Sequence, residues 1–287
     1  MSATIIVDSG STSADWRAFA GSEIIFETQS SGLNPLYLSE DELRNEIDKN
    51  LKPYLGFQEI KRVYFFGAGC NTTENQMRIQ NVLSLFFPES IFHIASDLDG
   101  AAMGLFGKDE GIACIMGTGS NACHWDGKTI LQKVPSLGFI IGDEGSGAWI
   151  GKQVAADYIR GMAPEEIQSL IAEEYPKDIE FFQKKVYQSN YASRFLAHIG
   201  GLIGLLPNHP YTQTIYRSAF HAFHNRFISS YKNMDLEYGF IGGIAITMKN
   251  IIEEESAKLG LKIRTVSHKP VDGIQDYLKK ELYPEGR

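Results

Sequence analysis

Val7-Asp8-Ser9-Gly10-Ser11-Thr12-Ser13-Ala14-Asp15-Trp16 and Met116-Gly117-Thr118-Gly119-Ser120-Asn121-Ala122-Cys123-His124-Trp125 align without a gap, and their likeness decides the fold. Each reads as an apolar strand, a turn of small residues and a returning strand. A further short strand follows in both places, Glu23 to Thr28 and Thr129 to Lys133, so the likeness extends over a three-strand meander. An internal repeat of this kind is weighed before any single motif. Two unrelated hairpins would also share Gly and Ser, because tight turns favour those residues.

Outward from the first turn, residues 1 to 106 read as an α/β unit. Ser39-Glu40-Asp41-Glu42 opens an amphipathic helix that runs from Ser39 to Leu51 and is stopped by Pro53. Arg62 to Phe66 is a buried strand ending in Gly67-Ala68-Gly69, and a helix from about Glu74 to Leu85 precedes the strand Ile91 to Ala95. The second part begins near Gly107 and turns mainly helical from Gly151 onward. Phe220, Phe223, Phe227 and Tyr231 share one helical face, which reads as a core stripe. His221 and His224 lie near it without a third ligand at an informative spacing, so no metal site is expected there. Tyr238 to Ile241 is a strand running into Gly242-Gly243, followed by a helix, the strand Lys262 to Val266, and a last amphipathic helix from about Asp272.

The chain has 287 residues, 43% of them hydrophobic and 22% charged, enough for one large domain or two smaller ones. Seventeen Phe, 13 Tyr and 3 Trp supply core side chains while only 3 Cys are present, which excludes disorder and disulfide scaffolds and fits a reducing compartment. A formal charge of −8 argues against a protein that binds nucleic acid by neutralising phosphates. The opening Met-Ser-Ala-Thr-Ile-Ile-Val-Asp lacks a basic n-region, and the apolar stretch from His198 to Pro207 is too short to span a bilayer. The expectation is a cytoplasmic protein with a small-molecule partner, and neither nucleic acid nor membrane.

A strand that ends in Asp8 and folds back through Gly10, Ser11 and Thr12 exposes backbone N–H groups and hydroxyls at a concave tip, where a phosphate can be held by several donors. Asp8 would hold Mg²⁺ through water, since Mg²⁺ keeps much of its hydration and bridges carboxylates to nucleotide phosphates. An ordinary Asx-type turn is the plainer alternative. Gly117-Thr118-Gly119-Ser120 lacks the Asp but keeps the glycines and hydroxyls, and two such tips together suit a triphosphate. Neither is a P-loop, because no Gly-Lys-Ser/Thr follows, and neither is a dinucleotide-binding Gly-x-Gly-x-x-Gly opening a helix.

These turns, with Gly142-Asp143-Glu144-Gly145-Ser146-Gly147 and Gly242-Gly243, resemble the superfamily of actin, sugar kinases and heat-shock chaperone ATPases, and within it the N-acetylglucosamine kinase and BadF/BadG ATPase family. The resemblance covers nearly the whole chain. It implies an α/β, two-lobed RNase H-like (actin-like ATPase) fold with duplicated mixed β-sheet domains around a nucleotide cleft. The lobes would be 1–106, with a C-terminal helix at 272–287 packing back on it, and 107–271. It further implies ATP and Mg²⁺ as cofactors, Asp8 as the Mg²⁺-associated residue, Gly117 to Ser120 as the second phosphate motif, and Gly242 and Gly243 as an adenosine motif.

Asp97, in Ser96-Asp97-Leu98-Asp99-Gly100, is similar to the family's general base, which accepts the proton of the attacking sugar hydroxyl. Its structural alternative is an N-cap for a helix beginning near Gly100, a role that suits Asp99 better. Asp143 resembles a sugar-binding residue and could also cap the helix running through Trp149 and Tyr158. Asn34, in Ser31-Gly32-Leu33-Asn34-Pro35, resembles a sugar contact, although Asn-Pro is a routine turn starter. Gly67-Ala68-Gly69 would be another wall of that pocket. Pro135-Ser136-Leu137-Gly138 stands where these kinases often carry Gly-Gly-Trp-Gly; Gly138 is retained as a substrate contact, and the missing Trp leaves the sugar open.

The implied reaction is transfer of the γ-phosphate of Mg·ATP to an amino sugar, with the 6-hydroxyl of N-acetylglucosamine as the first choice. A kinase for glucosamine or N-acetylmuramic acid, a non-catalytic nucleotide or sugar sensor or activator, and an actin-like filament protein are the alternatives. Cys70, Cys114 and Cys123 lack the spacing of iron–sulfur ligands, which sets aside the cluster-bearing activators of the superfamily. A homodimer is compatible with the family, with no interface marked in the sequence.

Overall fold

A computed structural model of the chain describes residues 3–54, 59–232 and 234–282. The first half runs β1 (Ala3–Ser9), β2 (Ser13–Ala20), β3 (Glu23–Ser31), α1 (Glu40–Leu51), β4 (Ile60–Gly67), α2 (Thr73–Ser84), β5 (Ile91–Ser96) and α3 (Asp97–Phe106). Then come β6 (Gly111–Met116), β7 (Ser120–Trp125), β8 (Ile130–Lys133), α4 (Gly138–Ile141), α5 (Gly147–Arg160), α6 (Glu165–Ala172), α7 (Ile179–Tyr187), α8 (Ala192–Leu202) and α9 (Pro210–Arg226). The chain continues with β9 (Glu237–Ile241), α10 (Gly243–Thr247), α11 (Lys249–Lys258), β10 (Lys262–Ser267) and α12 (Pro270–Leu282). The Ser39 and Glu42 side chains form the expected capping box on α1. Helix α1 ends at Leu51, as expected ahead of Pro53, and a 3₁₀ turn at Lys52–Tyr54 follows it.

Two five-stranded mixed sheets share one topology. The first has the order β3-β2-β1-β4-β5; the second, read from the opposite edge, has the order β8-β7-β6-β9-β10. In each, an antiparallel meander is extended by two parallel strands on the far side of its first strand. The duplication is therefore real at the level of topology, but the gapless alignment is not its residue register. The last pair before the first tip is Ser9 with Ala14, and before the second tip it is Met116 with Ser120, so the second turn is one residue shorter.

The chain divides into two compact units. One comprises Met1–Asp109, Gly127–Thr129 and Pro270–Arg287, and the other Glu110–Asp126 and Ile130–Lys269. In the first, alternation along β1 sends Ile5 and Val7 to one face, where they pack with Trp16 and Phe65 against Leu43 and Ile47 of α1 and Ile79 of α2. Ile6 points to the other face and joins Phe19 and Phe66 under Val271, Ile274 and Leu278 of α12. Being apolar on both faces, β1 reads as a continuous hydrophobic run. Arg17 ties α12 down through Gln275 at 2.8 Å and Asp272 at 2.7 Å. Of the segment expected to pack back as a helix to residue 287, positions 283–287 lie outside the described residues.

In the second unit, Ile112, Cys114 and Met116 of β6 lie in a core with Phe220, Phe223, Phe227 and Tyr231. The aromatic stripe is thus core, with Phe223 and Phe227 stacked at 4.9 Å between centroids. All three cysteines are free thiols and buried. Among the described residues, no helix is long and apolar enough to cross a membrane.

Candidate active site

In the first unit the register aligns the carboxyl ends of three parallel strands: Ser9 lies opposite Gly67, and Gly67 opposite Ser96. Open α/β sheets bind ligands outside such strand ends. Asp8, the Gly10–Thr12 turn, Gly67-Ala68-Gly69 and Asp97 therefore fall along one edge, with β1 and β5 each one strand spacing, about 4.8 Å, from β4. The turn after Ser9 is bonded into this edge. Ser9 Oγ accepts the Leu33 N–H at 2.9 Å, Ser9 O accepts the Ala68 N–H at 2.8 Å, and Gly32 N–H donates to Thr12 O at 3.0 Å. A Cβ on Gly32 would collide with Gly10 O and Ser11, so this glycine, not singled out in the sequence, lets two turns close on one another.

Asp97 is the first residue of α3, which starts three residues earlier than expected. The cap is Ser96, whose hydroxyl accepts the Asp99 N–H, while the Asp99 carboxylate returns to the Ser96 N–H at 3.2 Å. Asp99 is thus the third residue of a capping box, and Asp97 is not consumed as the cap. Its Oδ1 accepts the Leu98 N–H at 3.0 Å, and the carboxylate is half-buried in a first helical turn whose dipole favours negative charge. Burial pushes the Cys70 thiol up to about 12, with a further push from the Asp97 charge, so Cys70 stays protonated at neutral pH.

Asn34 is buried, and its Oδ1 accepts the Leu36 N–H at 2.9 Å within its own turn. Asn34 O also accepts the Tyr37 and Leu38 N–H groups, each at 3.1 Å. The turn-forming role is therefore the one visible at this residue, and Asn34 Oδ1 lies against Gly69, which has a φ of +85°.

In the second unit the loop Gly142–Gly147 and the tip at Gly117–Gly119 are bonded together. Gly147 N–H donates to Gly117 O at 2.8 Å, Ala148 N–H to Thr118 O at 3.1 Å, and the Ser120 hydroxyl to Glu144 O at 2.8 Å. Two first-turn N–H groups of α5 are thus spent on the tip, and the Trp149 N–H is taken by Ser146 Oγ at 3.1 Å. Ser146, not Asp143, caps α5. Ser146→Ala should cost about 1 kcal/mol of stability in a denaturant titration.

Asp143 holds a φ of +54°, the only positive φ at a non-glycine among the described residues. Its carboxylate is buried against Gly119, where an added Cβ would lie 3.0 Å from Oδ2. Burial raises its pKa. The Ser120 N–H, Lys152 and the Ser136 hydroxyl act in the opposite direction, and Glu144 adds to the rise. Lys152 and Ser136 were not visible as site residues in the sequence, because they reach Asp143 only through the fold. Lys152 donates to Phe139 O at 2.7 Å, and its pKa is lowered by burial against the pull of Asp143 and Glu144.

The glycines sort into two groups. Gly242, with a φ of +123°, leaves no room for a side chain, since a Cβ would sit 2.5 Å from Met116 O and 3.2 Å from Gly117 N. Gly10, Gly117 and Gly243 face open space: a Cβ would meet nothing nearer than 3.6 Å at Gly10 and 4.0 Å at Gly117, and nothing within 4 Å at Gly243. Gly138 is equally open, at the start of the short α4 and four residues from Gly142, to which its carbonyl is bonded at 2.8 Å. The edge of the second sheet is built as in the first, with Ile115, Ile241 and Ser267 in register and Gly242 N–H donating to Ser267 O at 3.2 Å.

The chain was compared with protein-family models and with curated proteins, and neither comparison gives a match. Among solved structures, a provisionally assigned N-acetylglucosamine kinase from Porphyromonas gingivalis is similar at 32% identity and a TM-score of 0.90, covering 98% of this chain and 100% of its own. A second provisionally assigned N-acetylglucosamine kinase, from Chromobacterium violaceum, shares the fold at 15% identity and a TM-score of 0.70, over 97% and 99% of the two chains. The fold extends to MreB5 of Spiroplasma citri, solved with ADP, at 9% identity and a TM-score of 0.54, over 99% of each chain. With paired sheets of one topology, glycine turns at their strand ends and this degree of identity over the full length, the chain belongs to the N-acetylglucosamine kinase family of the actin-like ATPase and sugar kinase superfamily.

Proposed function

We propose that the protein is an ATP-dependent amino-sugar kinase that phosphorylates the 6-hydroxyl of N-acetylglucosamine. The observation that carries this reading is the set of bare glycines at strand ends, Gly10, Gly117 and Gly243, each of which leaves backbone open where a phosphate or nucleoside can approach. The tip hydroxyls of Ser11, Thr12 and Thr118 supply further donors. Gly242 serves the nucleotide indirectly, by letting the chain pass behind Gly117.

The donor set also suits Mg²⁺. Among the described residues no three His, Cys, Asp or Glu side chains gather into a metal cage, whereas Mg²⁺ needs only one or two carboxylates beside water and phosphate. Asp8, half-buried at the end of β1, is that carboxylate. When bound, the cation neutralises charge on the transferring phosphoryl group.

Asp97 acts as the general base. As the sugar oxygen bonds to the γ-phosphorus and the bond from that phosphorus to the β,γ-bridging oxygen breaks, the hydroxyl proton passes to the Asp97 carboxylate and ADP leaves. In the second unit Asp143 orients the sugar by accepting hydrogen bonds from its hydroxyls and Gly138 borders it, and in the first unit Asn34 is read as a sugar contact. Leu137 stands where related kinases often carry Trp and, with Ile140 and Ile141, offers an exposed apolar surface suited to an acetyl methyl group.

The test is ADP release from Mg·ATP across N-acetylglucosamine, glucosamine, N-acetylmannosamine, N-acetylmuramic acid and glucose, with the product weighed by mass spectrometry. N-acetylglucosamine should stimulate release most strongly and yield a sugar monophosphate. ATP binding with no stimulation by any sugar would overturn the reading in favour of a sensor.

A further inference from the structure

We infer that Gly119 and Ser120, the second half of the Gly117–Ser120 tip, are positioning residues of the sugar site, which seat the Asp143 carboxylate and hold its loop. Gly117 and Thr118 are left to serve the nucleotide. The inference rests on the reading of Asp143 as a sugar ligand, and it divides between two substrates a turn expected as a whole to bind phosphate.

From the place where a Cβ would stand on Gly119, Asp143 Oδ2 is 3.0 Å away, Cγ 3.3 Å and Oδ1 3.5 Å, so the whole carboxylate lies against this glycine. The φ of Gly119 lies outside the left-handed region, and the demand for glycine here is therefore one of space. Gly117 is the contrast, since a Cβ there would meet nothing nearer than 4.0 Å. Ser120 acts on the same loop. Its hydroxyl is buried and donates to Glu144 O at 2.8 Å, and its N–H reaches the Asp143 carboxylate. On the loop side, Ser146 N–H donates to Asp143 O at 3.0 Å, and the Gly147 and Ala148 N–H groups bond to Gly117 O and Thr118 O. Asp143 is thus pinned at its carboxylate and along its backbone, which is what sustains a φ of +54° at a residue other than glycine.

The consequence is one of alignment. The residue that orients the sugar and the half of the tip open to phosphate belong to one bonded turn, so the two substrates are set against each other over a few residues of backbone. A methyl group on Gly119 would press on Asp143 Oδ2. The carboxylate has little room to withdraw, because it is buried and its loop is tied to the tip on both sides of the contact.

The experiment measures KM and kcat/KM for N-acetylglucosamine at saturating Mg·ATP, ATP affinity by calorimetry, and Tm. The variants are Gly119→Ala, Ser120→Ala, Gly117→Ala, Asp143→Gly and the double variant Gly119→Ala with Asp143→Gly. Asp143→Gly removes the carboxylate and suits the positive φ. Gly119→Ala should raise the sugar KM by about tenfold and leave ATP affinity within about twofold of wild type. Ser120→Ala should raise the sugar KM by roughly fivefold through loss of one hydrogen bond, while Gly117→Ala weakens ATP and spares the sugar. In the Asp143→Gly background, Gly119→Ala should cause no further loss of sugar kcat/KM and no further fall in Tm. A Gly119→Ala protein that weakens ATP with the sugar KM unmoved, or that loses the same factor in both backgrounds, would overturn the assignment. Should that variant not fold, a wild-type sugar KM in Ser120→Ala overturns it equally. Absence of sugar phosphorylation by the wild type would instead sink the kinase reading and the sugar role with it, and the Tm cycle would still decide whether Gly119 seats Asp143.

Discussion

Asp97→Asn is expected to lower sugar phosphorylation by roughly a thousandfold while leaving nucleotide affinity within a few-fold of wild type. Asparagine keeps the shape and retains an oxygen to accept the Leu98 N–H, so the start of α3, capped by Ser96 and Asp99, stays intact. What it loses is the ability to take a proton. Because phosphoryl transfer otherwise depends on alignment and charge neutralisation, the residual rate should come from those terms alone. Single-turnover kinetics with Mg·ATP and calorimetric titration of nucleotide separate the two effects. Turnover near the wild-type rate would remove Asp97 from the chemistry, and a matching loss of nucleotide binding would show a structural role.

The second large effect belongs to Gly242. At a φ of +123° and ψ of 169° it occupies a region nearly exclusive to glycine, and a Cβ would lie 2.5 Å from Met116 O. Backbone strain of about 1–3 kcal/mol and overpacking of about 1–3 kcal/mol together give Gly242→Ala a cost of roughly 2–6 kcal/mol. The displaced Gly117 tip should also lose nucleotide affinity by at least about tenfold, the equivalent of about 1.4 kcal/mol. Gly243→Ala is the control. With open space around it, it should melt within about 0.5 kcal/mol of wild type and weaken nucleotide binding alone. Equal thermal stability of the Gly242 and Gly243 variants would contradict this division between a glycine needed for packing and one left bare for a ligand.

Local chemistry is what the sequence discloses well. The strand-turn-strand units and the Ser39–Glu42 capping box follow from periodicity and side-chain reach and appear where those rules put them, and the aromatic stripe is core as expected, although only Phe220 and Phe223 lie on α9 while Phe227 and Tyr231 follow its end. The repeat shows why composition misleads at finer scale. Gly10 and Ser11 match Gly119 and Ser120 in a gapless register that the turn lengths do not keep, because turns draw on the same few residues whatever their length. Asp97, Asp99 and Asp143 all looked able to cap helices. Only backbone geometry assigns the caps to Ser96 and Ser146, leaving Asp97 and Asp143 for other roles. Lys152, Gly32 and the crowding at Gly242 depend on residues distant in sequence, and no local pattern announces them.

The most direct test of the central claim uses ATP labelled with oxygen-18 in the γ-phosphoryl group, incubated with Mg²⁺, N-acetylglucosamine and the protein, with products resolved by mass spectrometry and phosphorus–proton correlation NMR. The account predicts a sugar monophosphate esterified at the 6-oxygen, carrying the labelled non-bridging oxygens of the γ-phosphate, formed in equal amount with ADP. Label appearing only in inorganic phosphate, with the sugar unmodified, would contradict it.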